Sequence, residues 1–201
     1  MFKQYGNVKI EVNKLNIDSL SMSGHKFYAP KGVGALYVKE GIQFEKIQDG
    51  GHQEKDKRAG TENVAEIVGL GKAIEEIYQK YEEYNKKLQT LRDLYISEIQ
   101  KIIPQAKLNG DRTNRLPGNA NISFPGMNAQ ELLLELDEKG ICASAGSACS
   151  TGNPSPSHVL TAIGLPPNLA EGTLRVTFGK DNNEEDVKFL IETLKETLVN
   201  D

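Results

Sequence analysis

A lysine, a histidine and two serines are gathered in the segment SMSGHK, residues 21–26. Ser23 and His25 can donate hydrogen bonds to a phosphate, and turns predicted over Pro30–Gly34 would let backbone approach a ligand closely. The Lys26 amine suits a Schiff base with pyridoxal phosphate, because burial and nearby cations help the amine to lose its proton. With 19 lysines in the chain, the alternative for Lys26 alone is a solvated surface charge.

The two cysteines have different sequence surroundings. Cys142 falls in a predicted strand, and we expect it to be buried and unreactive. Cys149 lies in a polar loop predicted over Ala145–Pro156, where no large apolar neighbour would bury it. An exposed thiol is open to oxidation, but spacing alone leaves a catalytic role for Cys149 undecided. Because neither cysteine is in a CxxC pair or near a histidine pair, we expect no metal site from these residues.

Two other residues are candidates for binding anions. Thr61 precedes a long segment with helical periodicity, so it is placed to cap that helix or to hold an anion at its N-terminus. Arg175 lies inside the apolar segment Thr173–Phe178, where it either reaches a sheet edge or pairs with a carboxylate.

The elements that position these residues follow from periodicity. Apolar residues at steps of three and four from Ile67 to Tyr95 predict one long helix, which Pro104 ends. Asn128 and Glu131 form a capping-box pattern ahead of a helix that stops at Gly140. Strands alternate with helices in the second half, which predicts a small α/β domain. The predicted strands are Asp18–Ser23, Gly34–Val38, Asn119–Phe124, Ile141–Ser144 and Thr173–Phe178, and the later helices are Ala129–Lys139, Ser157–Ile163 and Glu184–Val199.

Length and composition restrict the class of protein. The chain has 201 residues, 38% of them apolar, with a net charge of −4. This composition excludes collagen, coiled coils and disulfide scaffolds, and it gives no basic footprint for nucleic acid. No apolar run reaches the length of a membrane helix, and without an export signal we expect a cytoplasmic protein. We place a domain boundary inside the long helix near Gln89, which gives domains 1–89 and 90–201.

Four segments in order resemble the cysteine desulfurases of the NifS and IscS type, which are pyridoxal phosphate enzymes of aminotransferase class V. These segments are SMSGHKFYAPKGVGALYV, KRAGTENVAEIVGLGKA, SAGSACSTGNPSPSHVLTAIGL and TLRVTFGKDNNEEDV. The resemblance implies an α/β fold that is the C-terminal part of a fold-type I pyridoxal phosphate transferase. Its expected parts are a partial large-domain sheet, a long linking helix and a small α/β domain with the cysteine loop.

The resemblance also implies a role for each candidate residue. Lys26 looks like the lysine that holds the cofactor, and Ser23 and His25 resemble the residues that bind its phosphate. Thr61 resembles the threonine that reaches the cofactor phosphate of the partner subunit in a homodimer. Cys149 resembles the nucleophile that takes sulfur from L-cysteine as a persulfide, and Arg175 the arginine that binds the substrate carboxylate.

The implied reaction converts L-cysteine to L-alanine, with sulfur passed to an iron–sulfur scaffold or to tRNA thiolation. The family is longer at its N-terminus, and its glycine-rich phosphate turn, its ring-stacking histidine and the aspartate for the pyridine nitrogen have no counterpart here. We therefore expect a truncated chain whose first half exposes apolar surface and unpaired strands. His52 and Asp56 stand where the family has glycine, so the geometry of that loop is expected to differ.

Two alternatives remain open. One is another class V enzyme, such as a selenocysteine lyase or an aminotransferase, although an aminotransferase needs no thiol on a long loop. The other is a non-catalytic C-terminal fragment that binds sulfur-relay partners.

Overall fold

The computed structural model describes residues 8–146 and 157–199. The chain divides into two compact units, Met1–Tyr81 and Glu82–Asp201. No helix among the described residues is long and apolar enough to cross a membrane.

The first unit is a two-stranded ribbon packed on a helix. Strand β1 (Ser19–Ser23) pairs antiparallel with β2 (Gly34–Val38), and a 3₁₀ helix (Gly24–Phe27) follows β1 directly. A single turn, α1 (Gln53–Asp56), precedes helix α2 (Val64–Gln79). The core cluster is small and consists of Phe27, Ala29, Leu70 and Ile77.

The first unit leaves much apolar surface uncovered, as expected from the resemblance. Of the fifteen large apolar side chains that the described residues expose, eleven lie between Val8 and Tyr78. On the ribbon, Leu20 is buried whereas Leu36 is 57% exposed, because neighbouring positions along a strand face opposite sides. The ribbon therefore covers its core on one side and leaves the other side open.

The second unit packs three longer helices and two short ones with a three-stranded antiparallel sheet. Its sheet order is β3 (Lys107–Leu108), β4 (Asn119–Ser123) and β5 (Thr173–Thr177). The helices are α3 (Tyr81–Ile102), α4 (Ala129–Glu138), α5 (His158–Ala162), α6 (Pro167–Ala170) and α7 (Glu184–Val199). Nineteen buried apolar residues form one core, which includes Ile122, Leu136, Leu174 and Leu194.

The prediction of one long helix was wrong. Helix α2 ends at Gln79, and Lys80 has φ −107° and ψ 14° before α3 begins at Tyr81. The apolar steps continue across the break because Ile77 packs in the first core and Leu88 in the second. Periodicity alone does not reveal a one-residue interruption of this kind.

The contact boundary at Tyr81–Glu82 lies upstream of the position expected near Gln89. Gln89 stands inside α3, between Leu88 and Leu91, which are both buried in the second core. This end of α3 therefore packs with the second unit.

Several predicted elements were confirmed. Strand β2 and helix α7 have the predicted bounds, β1, β4, β5 and α4 differ from theirs by one residue at one end, and α5 is one residue shorter at each end. Asn128 caps α4 by accepting a hydrogen bond from the Gln130 backbone N–H at 2.9 Å, and Gly140 follows with φ 77°. The predicted strand Ile141–Ser144 is reduced to one bridge, between Ser144 and Arg175.

Candidate functional site

Lys26 lies on a tight turn at the end of β1. The Gly24 N–H donates to the Val33 carbonyl at 2.9 Å, and the Ala29 N–H donates to the Gly24 carbonyl at 3.2 Å. Gly24 and Phe27 are buried, which leaves Ser23 and Lys26 half-buried and His25 exposed. The turn thus brings a hydroxyl, an imidazole and an amine together within four consecutive residues.

Helix α2 packs closely on this turn. A Cβ on Gly24 would lie 2.9 Å from the Val33 carbonyl oxygen and 3.1 Å from Leu70 Cδ1, and one on Gly69 would lie 2.9 Å from Pro30 Cγ. The two glycines therefore let the helix and the turn approach closely. Glycine has a low helix propensity, but at position 69 it allows α2 to pack against Pro30.

The sequence suggested Thr61 as the cap of α2, but the structure places a different residue there. The helix begins at Val64, and Asn63 occupies the cap position without a side-chain cap bond. The Thr61 side chain is exposed. The reason is that the chain from Thr61 to Asn63 is still outside the helix. Thr61 therefore lies three residues before α2, free of the backbone contact that a cap would make.

The loop before Thr61 has an unusual backbone. Glu54, Lys55 and Asp56 have φ of 52°, 58° and 62°, a region that side chains other than glycine rarely occupy. The Gly60 N–H donates to Gln53 Oε1 at 3.1 Å, which ties the two ends of the loop together.

His52 and Asp56, the two positions at which the resemblance led us to expect glycine, contact each other. Asp56 Oδ1 lies 3.0 Å from His52 Nδ1 and accepts a hydrogen bond from Lys46 Nζ at 2.8 Å. The hydrogen bonds from Lys46 and then His52 hold the pKa of the Asp56 carboxyl below its usual value. Of the two, Asp56 has φ 62°, a conformation that glycine adopts without strain, whereas His52 has φ −95°.

Cys142 is exposed, so the prediction that it is buried was wrong. Ile141 and Ala143 on either side of it pack partly against the second core. Because side chains alternate along an extended chain, Cys142 faces outward between them. Cys149 and the rest of its loop, residues 147–156, lie outside the described residues.

Arg175 occupies the middle of β5. Its backbone N–H donates to the Ser144 carbonyl at 2.6 Å, and the Ser144 N–H donates back at 3.2 Å. Its side chain is half-buried, and no carboxylate among the described residues pairs with it. The guanidinium is thus available for an anion from outside this part of the chain.

A buried polar network beside Arg175 was missed by the sequence reasoning. Asn109 Nδ2 donates to Ser123 Oγ at 2.8 Å, and Ser123 Oγ lies 2.7 Å from Thr173 Oγ1. The alternation of polar and apolar residues in Asn119–Phe124 is a signal that could have indicated one polar sheet face.

The residues of the Lys26 turn fit pyridoxal phosphate. The ligand carries an aldehyde, which suits the Lys26 amine, and a phosphate, which suits the Ser23 hydroxyl and the His25 imidazole. At Gly24 the backbone of the turn packs against the Val33 carbonyl and the Leu70 side chain, which fixes the turn that carries these three residues. Among the described residues, no group of three or more His, Cys, Asp or Glu side chains could hold a metal ion.

Comparison with known proteins gives consistent results. Residues 1–190 match the sequence model of the family described as Aminotransferase class-V. Cysteine desulfurase IscS of Clostridium botulinum is 52% identical over 191 residues, which cover 94% of this chain and 48% of the relative. The chain spans about half the length of the curated relatives it matches.

Solved structures share the fold. A NifS-like protein from Rickettsia africae matches with a TM-score of 0.87 and 29% identity, covering 98% of this chain and 51% of that one. SspA in complex with cysteine matches with a TM-score of 0.65 and 35% identity, covering 88% of this chain and 48% of that one.

Proposed function

Because the chain belongs to the aminotransferase class V family, we propose that it carries the lysine, cysteine and arginine of a cysteine desulfurase that converts L-cysteine to L-alanine. The observation that carries the proposal is the turn with Ser23, His25 and Lys26 at the end of β1. Its support is the 52% identity to a relative named cysteine desulfurase.

In this proposal the Lys26 turn holds pyridoxal phosphate. Lys26 would hold the cofactor through its aldehyde, Ser23 and His25 would donate hydrogen bonds to its phosphate, and the Lys26 amine would carry protons to and from the substrate carbon. When bound, pyridoxal phosphate supplies an electron sink for loss of the α-proton. Thr61 reaches the phosphate of a partner subunit in a homodimer, and its exposed position before α2 is compatible with that role.

Arg175 binds the carboxylate of the substrate. A guanidinium can form two parallel hydrogen bonds to a carboxylate, and Arg175 has no described carboxylate partner that would compete. The likeness to SspA, which was solved in complex with cysteine, supports L-cysteine as the substrate.

Cys149 receives the sulfur. Its thiolate attacks the substrate sulfur, so that an S–S bond forms as the bond from carbon to sulfur breaks. The electron pair of the broken bond stays on carbon and takes a proton, which yields alanine and a persulfide on Cys149. The persulfide then passes to a sulfur acceptor, for iron–sulfur assembly or tRNA thiolation. A thiol that must stay reduced between turnovers suits the cytoplasm.

The test is to trap the cofactor on the full chain. Chain and pyridoxal phosphate are mixed, reduced with borohydride and mapped by peptide mass spectrometry, with Lys26→Ala and Lys31→Ala as matched variants. We expect the adduct on Lys26, its loss in Lys26→Ala and its retention in Lys31→Ala, where an exposed lysine is removed. Labelling scattered over the lysines would contradict the proposal and favour a non-catalytic module that binds sulfur-relay partners.

A further inference from the structure

One face of the sheet in the second unit is polar. On β4, Asn119, Asn121 and Ser123 alternate with Ala120 and Ile122, which are completely buried in the core. The register pairs these three polar residues with Thr177, Arg175 and Thr173 of β5. Paired residues lie on the same side of a sheet, so Arg175 lies on a face of amide and hydroxyl groups.

Hydrogen bonds on this face run in one direction. Thr173 Oγ1 donates its proton to the Leu169 carbonyl at 2.9 Å, because a carbonyl oxygen can only accept. The bond of 2.7 Å between Ser123 Oγ and Thr173 Oγ1 must then be donated by Ser123. With its single proton used, Ser123 Oγ can only accept the bond of 2.8 Å from Asn109.

This direction decides the orientation of two amides. Asn109 must present Nδ2 to Ser123, and the same Nδ2 donates to Asn121 Oδ1 at 2.9 Å. Asn109 is only 6% exposed, and its Oδ1 has no partner among the described residues. Asn109 Oδ1 thus stays unsatisfied while Nδ2 holds Asn121 Oδ1. Asn121 Nδ2 then has no acceptor among the described residues.

Asn121 and Arg175 lie side by side. The backbone N–H and carbonyl of Arg175 both bond to Ser144 on the other side of β5, so Arg175 and Asn121 form a non-hydrogen-bonded pair across the strands. The Cβ atoms of such a pair are about 4.5–5.5 Å apart, which is within reach of a shared ligand.

We propose that Asn121 Nδ2 and the Arg175 guanidinium together bind one carboxylate, with Asn109 as the positioning residue that orients the Asn121 amide. This rests on the proposed function, in which the carboxylate belongs to the amino acid substrate. The neutral amide adds a directional hydrogen bond without a second positive charge, so the pair selects a single carboxylate.

The experiment uses the full chain labelled with ¹⁵N and titrated with L-alanine, the proposed product, and with L-alaninamide, which lacks the carboxylate. We expect the Asn121 side-chain amide and the Arg175 Nε–H signals to shift together with L-alanine, and neither to shift with L-alaninamide. Asn121→Ala should weaken L-alanine binding about tenfold, the loss of one hydrogen bond to a charged group. The matched control Asn119→Ala, one pair along the same face, should change binding by less than about threefold.

The outcomes separate this inference from the proposed function. A shift of Arg175 with an unmoved Asn121 amide would overturn the role of Asn121 and leave Arg175 in place. Equal responses to L-alanine and L-alaninamide, or none, would overturn the carboxylate pair. Trapping of the cofactor on Lys26 does not depend on either residue, so its failure concerns the proposed function alone.

Discussion

Ser144 and Arg175 exchange two backbone hydrogen bonds, of 2.6 Å and 3.2 Å. This bridge attaches the segment that leads into the cysteine loop to the strand that carries the proposed carboxylate ligand. Cys149 follows Ser144 by five residues, and five extended residues span at most about 18 Å. In sequence, the proposed nucleophile is therefore separated from this bridge by only four intervening residues.

The two cysteines should differ in their reaction with L-cysteine. Cys149→Ser should abolish persulfide formation while the cofactor is still trapped on Lys26, because the thiolate is needed only to take up sulfur. Cys142→Ser is the matched control and should keep the persulfide, although the structure shows Cys142 exposed. The measurement is mass spectrometry of peptides alkylated after exposure to pyridoxal phosphate and L-cysteine. A persulfide that disappears only in Cys142→Ser would contradict the assignment.

Gly24 should be intolerant of a side chain. Gly24→Ala would bring Cβ to 2.9 Å from the Val33 carbonyl, and relief of such overpacking costs about 1–3 kcal/mol. Gly71→Ala is the control, because nothing lies within 4 Å of its added Cβ, and in α2 it should stabilise the chain by up to about 1 kcal/mol. Urea denaturation measures both changes. Equal effects at the two glycines would show that the turn is not closely packed.

Lys46→Ala should raise the pKa of Asp56 toward its usual value, since the hydrogen bond from Lys46 is the main cause that lowers it. A carboxyl whose pKa is lowered by folding stabilises the folded chain above its unfolded pKa, about 3.9. That contribution is lost as the pH falls through the lower folded value. Carboxyl ¹³C NMR titration measures the pKa, with Lys31→Ala as a control that should leave it unchanged. An unaltered Asp56 pKa in Lys46→Ala would exclude this contact in solution.

The open apolar surface of the first unit should promote self-association. Leu36→Lys combined with Val68→Lys places charges on side chains that are 57% and 66% exposed, so it should reduce association without loss of core packing. Leu134→Lys combined with Phe189→Lys, at exposed sites of the second unit, should have a smaller effect. Light scattering against concentration compares the two pairs. A larger reduction of self-association by the second pair of substitutions would contradict the assignment of the associating surface to the first unit.

Much of the local structure follows from the sequence alone. The cap at Asn128 and the stop at Gly140 bound α4, and both predicted ends of α7 agree with the structure. These features depend on residues within one or two turns of each other, which is the range over which caps and periodicity act. The four ordered motifs likewise identified the family before any contact was known.

Tertiary structure decided what depends on distant partners. The break at Lys80 separates apolar residues that join two different cores, and the outward position of Cys142 reflects the packing of its neighbours. Ser123 and Thr173 are 50 residues apart in sequence, so their hydrogen bond exists only because strands β4 and β5 pair in one register. The sequence determined which groups are available for chemistry. Long-range pairing decided which of them face one another, because contacts of that kind have no signature in the spacing of neighbouring residues.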